Sequence, residues 1–193
     1  MGSLLTKKKV ETSKDNIKKW AGNVLYGVFL IVLVWFIITF VGQSTVVNGS
    51  SMYDTLENGD RLWVNKLSYR FSKPERFDIV VFPHKEKNGS SSYFIKRIIG
   101  LPGETVRMDE DGIIYINEEP LEEDYGEDCT GSAIVGMAGE NITLGEDEYF
   151  VLGDNRGDSN DSRFPDVGNI HRDELVGKVS IRIWPFSKFG NMK

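Results

Sequence analysis

Thr105-Val106-Arg107-Met108-Asp109-Glu110-Asp111-Gly112-Ile113-Ile114-Tyr115-Ile116 sets two short apolar runs on either side of an Asp-Gly pair. Asp-Gly favours the positive backbone angles of a tight hairpin turn, and the β-branched residues after it suit a pleated, half-buried surface. The stretch predicts a β-hairpin. Similar runs lie outward from it in both directions. Leu62-Trp63-Val64 follows an Asn58-Gly59-Asp60 turn signal, Asp78-Ile79-Val80-Val81-Phe82 ends at Pro83, and Phe94 to Ile99 stops at Gly100-Leu101-Pro102-Gly103. Glu148 to Leu152 is another, and Lys178 to Ile183 alternates polar and apolar residues as a strand with one buried face does. No long amphipathic helix pattern follows residue 43. An antiparallel, mainly β body over 43–193 is the expectation. Within it, 117–147 is rich in Glu, Asp and Gly and reads as an acidic, solvated insertion or loop.

Upstream, Trp20 to Gly42 carries no charge, and only Asn23 and Thr39 in it are clearly polar. About 20 apolar residues are enough to cross a hydrocarbon layer as a helix, and a buried core helix would show polar positions every three or four residues. A cleavable leader would have a shorter apolar run and a small-x-small site, whereas Gln43-Ser44-Thr45-Val46-Val47 offers none. A transmembrane anchor over 20–42 is therefore predicted, behind a basic tail over 1–19. That tail has six lysines against Glu11 and Asp15, a net of +4. The positive-inside rule then puts the N-terminus in the cytoplasm and everything after residue 43 across the cell membrane.

The whole chain of 193 residues carries a formal charge of −6, so the part beyond the tail is more acidic still, near −10. Nucleic acid is set aside as a partner, because phosphate binding needs clustered Lys and Arg. Cys129 is the only cysteine, which excludes an intrachain disulfide and a Cys-based metal site; it reads as a loop thiol. No cofactor or metal is expected.

Two segments carry candidate chemistry. Ser51 lies in Asn48-Gly49-Ser50-Ser51-Met52-Tyr53-Asp54-Thr55-Leu56, and Lys96 lies in an apolar strand, Phe94-Ile95-Lys96-Arg97-Ile98-Ile99. A serine hydroxyl needs a base to become a nucleophile. His84 and His171, the only histidines, stand in polar surroundings and read as surface residues. Gly-x-Ser-x-Gly fails because Tyr53 occupies the second glycine position. Lysine serves as a base only when neutral, and apolar neighbours at strand spacing, here Phe94 and Ile98, can desolvate the amine and lower its pKa.

These segments resemble those of type I signal peptidases, membrane serine proteases with a Ser-Lys dyad. Ser51-Met52-x-x-Thr55-Leu56 resembles the family's nucleophile box, and Arg76-Phe77-Asp78-Ile79-Val80-Val81-Phe82 the strand box after it. Lys96-Arg97-x-Ile99-Gly100-Leu101-Pro102-Gly103-Glu104 resembles the lysine box, and Gly153-Asp154-Asn155-Arg156-x-x-Ser159-x-Asp161-Ser162-Arg163 the last one. The resemblance implies a barrel-like antiparallel β catalytic domain behind one transmembrane helix. It implies Ser51 as nucleophile, Lys96 as general base, Ser159 as a hydrogen-bond partner of the amine, and Asp161 and Arg163 as a bracing ion pair. Met52 and the strand of Asp78, Ile79 and Val80 would form shallow pockets for small side chains. The substrates would be secretory preproteins, cleaved after small-x-small at the bilayer surface through an acyl-enzyme.

Two departures stand out. Gly49 occupies a position where some members place a second oxyanion-hole donor, and Asp54 stands where proline is usual. Self-cleaving repressor-type proteases share the dyad but carry a DNA-binding domain where this chain has its hydrophobic run. The non-enzymatic alternative is a membrane-tethered β module for surface-protein or pilus assembly.

Overall fold

The computed structural model describes residues 2–85, 89–126 and 132–192, with side chains over 18–85, 89–126 and 134–192. Cys129 lies outside the described residues. The chain divides into two units, Met1–Val41 and Gly42–Lys193.

The first unit is helical throughout. Helix α1, Gly2–Phe36, continues into a π-helical turn over Ile37–Val41. The lysine-rich tail is thus part of the same helix. Its Lys18–Val41 portion, 24 residues of mean hydropathy 2.8, is the one helix among the described residues long and apolar enough to cross a membrane, and none of it is buried.

The second unit is built from two antiparallel sheets. Its strands are β1 (Gly42–Val46), β2 (Arg61–Asn65), β3 (Ile79–Lys85), β4 (Ser91–Gly100), β5 (Thr105–Met108), β6 (Ile114–Ile116), β7 (Glu119–Pro120), β8 (Ile142–Thr143), β9 (Glu148–Leu152), β10 (Ile170–His171), β11 (Gly177–Trp184) and β12 (Gly190–Asn191). The larger sheet runs β1-β2-β11-β3-β4-β9-β10, with β12 paired to β11, and the smaller runs β7-β6-β5-β8.

The hairpin at the centre of the sequence forms as β5 and β6, with Val106 opposite Ile116 and Met108 opposite Ile114. Asp109 shapes the turn by accepting the backbone N–H groups of Asp111 and Ile113 at 3.1 and 2.9 Å. Gly112 supplies the positive φ of 84°.

Ile79-Val80-Val81-Phe82 reads as a continuous apolar run because β3 is covered on both faces. Ile79 and Val81 pack with Leu62, Val64 and Ile95. Val80 and Phe82 pack on the other face with Ile98, Tyr149 and Val151. The alternation in β11 is broken at Ser180, where a bulge shifts its register against β2. Past the bulge Arg182 turns inward, 8% exposed, and its guanidinium meets the Thr55 carbonyl.

The acidic stretch 117–147 is not solvated throughout. Val135, Ala138 and Leu144 fill the small sheet's core beside Val106, Met108 and Ile114. Glu123 accepts both terminal nitrogens of the buried Arg156 guanidinium at 2.8 Å.

Candidate active site

Ser51 sits on a turn drawn inward by its neighbours. Met52 and Leu56 are 2% and 0% exposed, and the Leu56 N–H donates to the Met52 carbonyl at 2.7 Å. Ser51, just before these two anchored side chains, is half-buried. Gly49 has φ 104°, a conformation that favours glycine, and its N–H donates to the Asn58 side chain at 3.0 Å. Asp54 has φ 83°. Proline, fixed near −65°, cannot adopt that angle, so the turn follows a route that a proline at this position would forbid.

Lys96 projects from β4 and is 3% exposed. In the ladder it lies opposite Val80, and its Nζ is 5.3 Å from the centre of the Phe94 ring. Nζ donates to Ser51 Oγ at 2.6 Å across 45 positions of sequence. Burial pulls the amine's pKa down to about 8, with Arg163 acting in the same direction and Asp161, Asp154 and Asp158 opposing it. Once the amine is neutral, the same short contact lets the hydroxyl donate to nitrogen.

The loop of residues 153–163 packs against the back of the nucleophile turn. The Asn155 N–H donates to the Ser51 carbonyl at 3.1 Å, and its side-chain amide donates to the Ser50 carbonyl at 3.2 Å. Gly153 lies between the two parts. A Cβ there would stand 2.2 Å from Ser159 Oγ and 2.3 Å from the Ser51 carbonyl oxygen, so only glycine admits this approach. Asp161 accepts Arg163 in a two-pronged pair at 2.8 Å on each side, both residues wholly buried. Asp161 also accepts the Gly153 N–H at 3.1 Å, while Arg163 donates onward to the Ile134 carbonyl at 2.7 Å. Ser159 Oγ is buried and makes no hydrogen bond among the described residues; the Lys96 amine is turned to Ser51 instead.

A groove of about 230 Å³ opens over the pair. Ser51 and Lys96 lie in it between apolar walls from Val46, Met52, Phe94 and Ile95. Asp78, Ile79 and Val80 are not among its lining residues, contrary to the sequence expectation, because β3 is covered on both faces. Asp78 pairs with Lys178 and accepts the Tyr69 hydroxyl at 3.0 Å, while Ile79 and Val80 are 2% and 0% exposed. Met52 does line the groove, and most of its side chain is core.

Sequence reasoning alone assigns no role to Arg97, Asp154 and Asn155, although all three lie in the segments around Lys96 and Ser159. An arginine in an apolar strand is the signal that a buried carboxylate must exist to meet it. His84, a surface residue by its sequence surroundings, is 8% exposed and stacks on Phe94.

The family model described as Signal peptidase, peptidase S26 matches residues 19–184. A probable signal peptidase I-2 from Synechocystis sp. is 37% identical over 188 residues, covering 96% of this chain and 82% of that one. A signal peptidase I from Leptolyngbya laminosa is 40% identical over 84% of this chain and 78% of its own. A signal peptidase I P from Bacillus subtilis subsp. natto is 34% identical over 98% of this chain and 100% of its own.

Proposed function

The chain belongs to the signal peptidase family, peptidase S26, and we propose that it removes N-terminal signal peptides from secretory preproteins with Ser51 as nucleophile and Lys96 as base. The observation that carries this reading is the 2.6 Å contact between Lys96 Nζ and Ser51 Oγ, with the amine almost wholly buried.

The neutral amine takes the Ser51 proton as Oγ attacks the scissile carbonyl, and passes it to the leaving nitrogen when that bond breaks. The same amine then activates the water that hydrolyses the acyl-enzyme. In the first half-reaction the Ser51 backbone N–H serves the developing oxyanion, as the family resemblance implies. Ser159 holds the amine after acylation, when Ser51 Oγ has become an ester oxygen with no proton to donate to it, until the proton taken from water is returned to Oγ. Its buried hydroxyl has no competing partner among the described residues, and a buried hydroxyl left unpaired costs roughly 1–3 kcal/mol. Asp161 and Arg163 brace the loop that presents it.

Cleavage after small-x-small follows from the family resemblance, and the groove of about 230 Å³ over the dyad is where those side chains would lie. Met52 is part of its wall. Lys18–Val41 anchors the enzyme in the cell membrane, with the basic tail cytoplasmic and the β body on the far side.

The test is hydrolysis of a fluorogenic Ala-x-Ala peptide and of a preprotein by the wild type, Ser51→Ala and Lys96→Ala. Both variants are expected to lose activity. Wild-type rates in either would overturn the assignment.

A further inference from the structure

The ring of His84 stacks on that of Phe94, with centroids 4.2 Å apart and planes inclined by 27°. The ladder sets Phe82 opposite Phe94 and His84 opposite Ser92, so His84 is the diagonal neighbour of Phe94 on one face of the sheet. Phe82 meets the same ring edge-on at 6.1 Å. Two residues along β4, on that same face, comes Lys96, its Nζ 5.3 Å from the Phe94 ring centre. Phe94 is therefore clasped by two rings while forming both a wall of the groove and part of the apolar cover over the amine. On the outer side, His84 Nε2 lies 3.4 Å from an oxygen of Asp166. The same oxygen accepts the Asn160 side-chain amide at 3.1 Å, and Asn160 belongs to the groove's rim.

We propose that His84 is a positioning residue for signal-peptide hydrolysis: tethered by Asp166, it holds the Phe94 ring as the dry cover of Lys96 and ties that cover to the Asn160 rim. It touches neither Ser51 nor the substrate. The inference rests on the Ser51–Lys96 reading and extends it one layer outward along the sheet.

Burial is the leading cause of the lowered basicity of Lys96, and the charged groups that act on it are Arg163, Asp161, Asp154 and Asp158. Asp166 is the carboxylate that faces His84. None of these charges is removed by altering His84, so a changed titration of Lys96 would report the loosened cover. Without the stack, Phe94 gains freedom, water reaches the amine, and its pKa moves back toward that of a free lysine.

The full chain in detergent micelles provides the test, through pH profiles of kcat/KM on the fluorogenic peptide. His84→Ala and Phe94→Leu are expected to raise the low-pH midpoint by about half a unit or more, which lowers kcat/KM at pH 7 about threefold. His84→Phe, which keeps a stacking ring but loses the Asp166 tether, should shift the midpoint less than His84→Ala does. Ile116→Val in the small sheet serves as a control that lowers Tm without moving it. A wild-type midpoint in His84→Ala, or an equal shift in Ile116→Val, overturns the proposal. His84→Leu, which keeps bulk and loses the stacking ring, carries the test if His84→Ala does not fold. Activity surviving in Ser51→Ala or Lys96→Ala would instead refute the dyad itself, whereas inactive dyad variants with an unmoved His84→Ala midpoint refute only the role of His84.

Discussion

Arg97 and Asp154 meet in a two-pronged pair, at 2.9 and 2.7 Å, with 0% and 1% of their side chains exposed. Arg97 follows Lys96 in β4, and Asp154 follows Gly153 in the loop behind Ser51. Arg97 Nη1 donates to the Phe77 carbonyl at 3.0 Å, Nη2 also donates to Thr55 Oγ1 at 3.3 Å, and the Tyr125 ring covers the cation at 3.5 Å. One buried cation thus joins the lysine strand, the nucleophile turn and the loop of residues 153–163. The contact between Ser51 and Lys96 depends on that junction.

Asp154→Asn keeps the shape of the side chain and removes the charge that Arg97 was buried to meet. Leaving an uncompensated guanidinium in the interior typically costs 3–5 kcal/mol, so a loss of about that size is expected in urea unfolding. kcat should fall with it, because Thr55 and the nucleophile turn lose their anchor.

Gly153→Ala tests the close approach of the loop to the nucleophile turn. The added methyl would collide with Ser159 Oγ and the Ser51 carbonyl, at 2.2 and 2.3 Å. A displacement of about 1 Å at a reacting group can cost on the order of a hundredfold, and a fall in kcat of that order with little change in KM is expected. Gly190→Ala, where a Cβ meets nothing within 4 Å, should behave as wild type in the same steady-state assay.

Asp54→Pro distinguishes the turn seen in this chain from one built on proline. With φ at 83°, the ring cannot close without moving the turn, and a loss of roughly 1–3 kcal/mol is expected, with reduced kcat/KM. Asp54→Asn should be tolerated, since asparagine also populates the left-handed region. Equal Tm values for the two variants would contradict the observed turn.

Lys96 sets function against stability. Its pKa falls from 10.5 to about 8 in the folded chain, so the fold binds this proton more weakly than the unfolded chain does. The charged amine therefore destabilises the fold below about pH 8, and the cost is relieved as pH rises from 8 towards 10.5. At about 1.4 kcal/mol per unit the full cost is about 3.5 kcal/mol. Lys96→Met is expected to be inactive yet more stable by about 2–3 kcal/mol at pH 7, with the gain shrinking by pH 10. A gain independent of pH in urea unfolding would contradict the assignment.

Local chemistry in the sequence carried much of the fold. The Asp111-Gly112 hairpin and the strand ending at Gly100 follow from turn residues and β-branched runs. The strand expected to end at Pro83 runs on to Lys85, because Pro83 lies beyond the pairing with β11 and the ladder with β4 continues past it. Ser51 and Lys96 stood out because each breaks the character of its segment. Strand periodicity gives the face a residue occupies, but it does not reveal what covers that face. Asp78, Ile79 and Val80 were expected to line the groove because the cover on both sides of β3 comes from strands distant in sequence. His84 looked solvated for the same reason, since its stacking partner lies across a ladder ten residues away. The bulge at Ser180 that turns Arg182 inward leaves no local mark. In 117–147 the acidic composition concealed the few apolar residues that fill the small core.

The most direct measurement is the titration of the lysine amines by 13C NMR, in the full chain labelled at lysine Cε and held in micelles. One resonance should titrate near pH 8, vanish in Lys96→Met, and shift in Ser51→Ala, where the hydroxyl 2.6 Å away is lost. If every lysine titrates near 10.5 and Ser51→Ala changes none of them, the buried neutral base does not exist and the proposed mechanism falls.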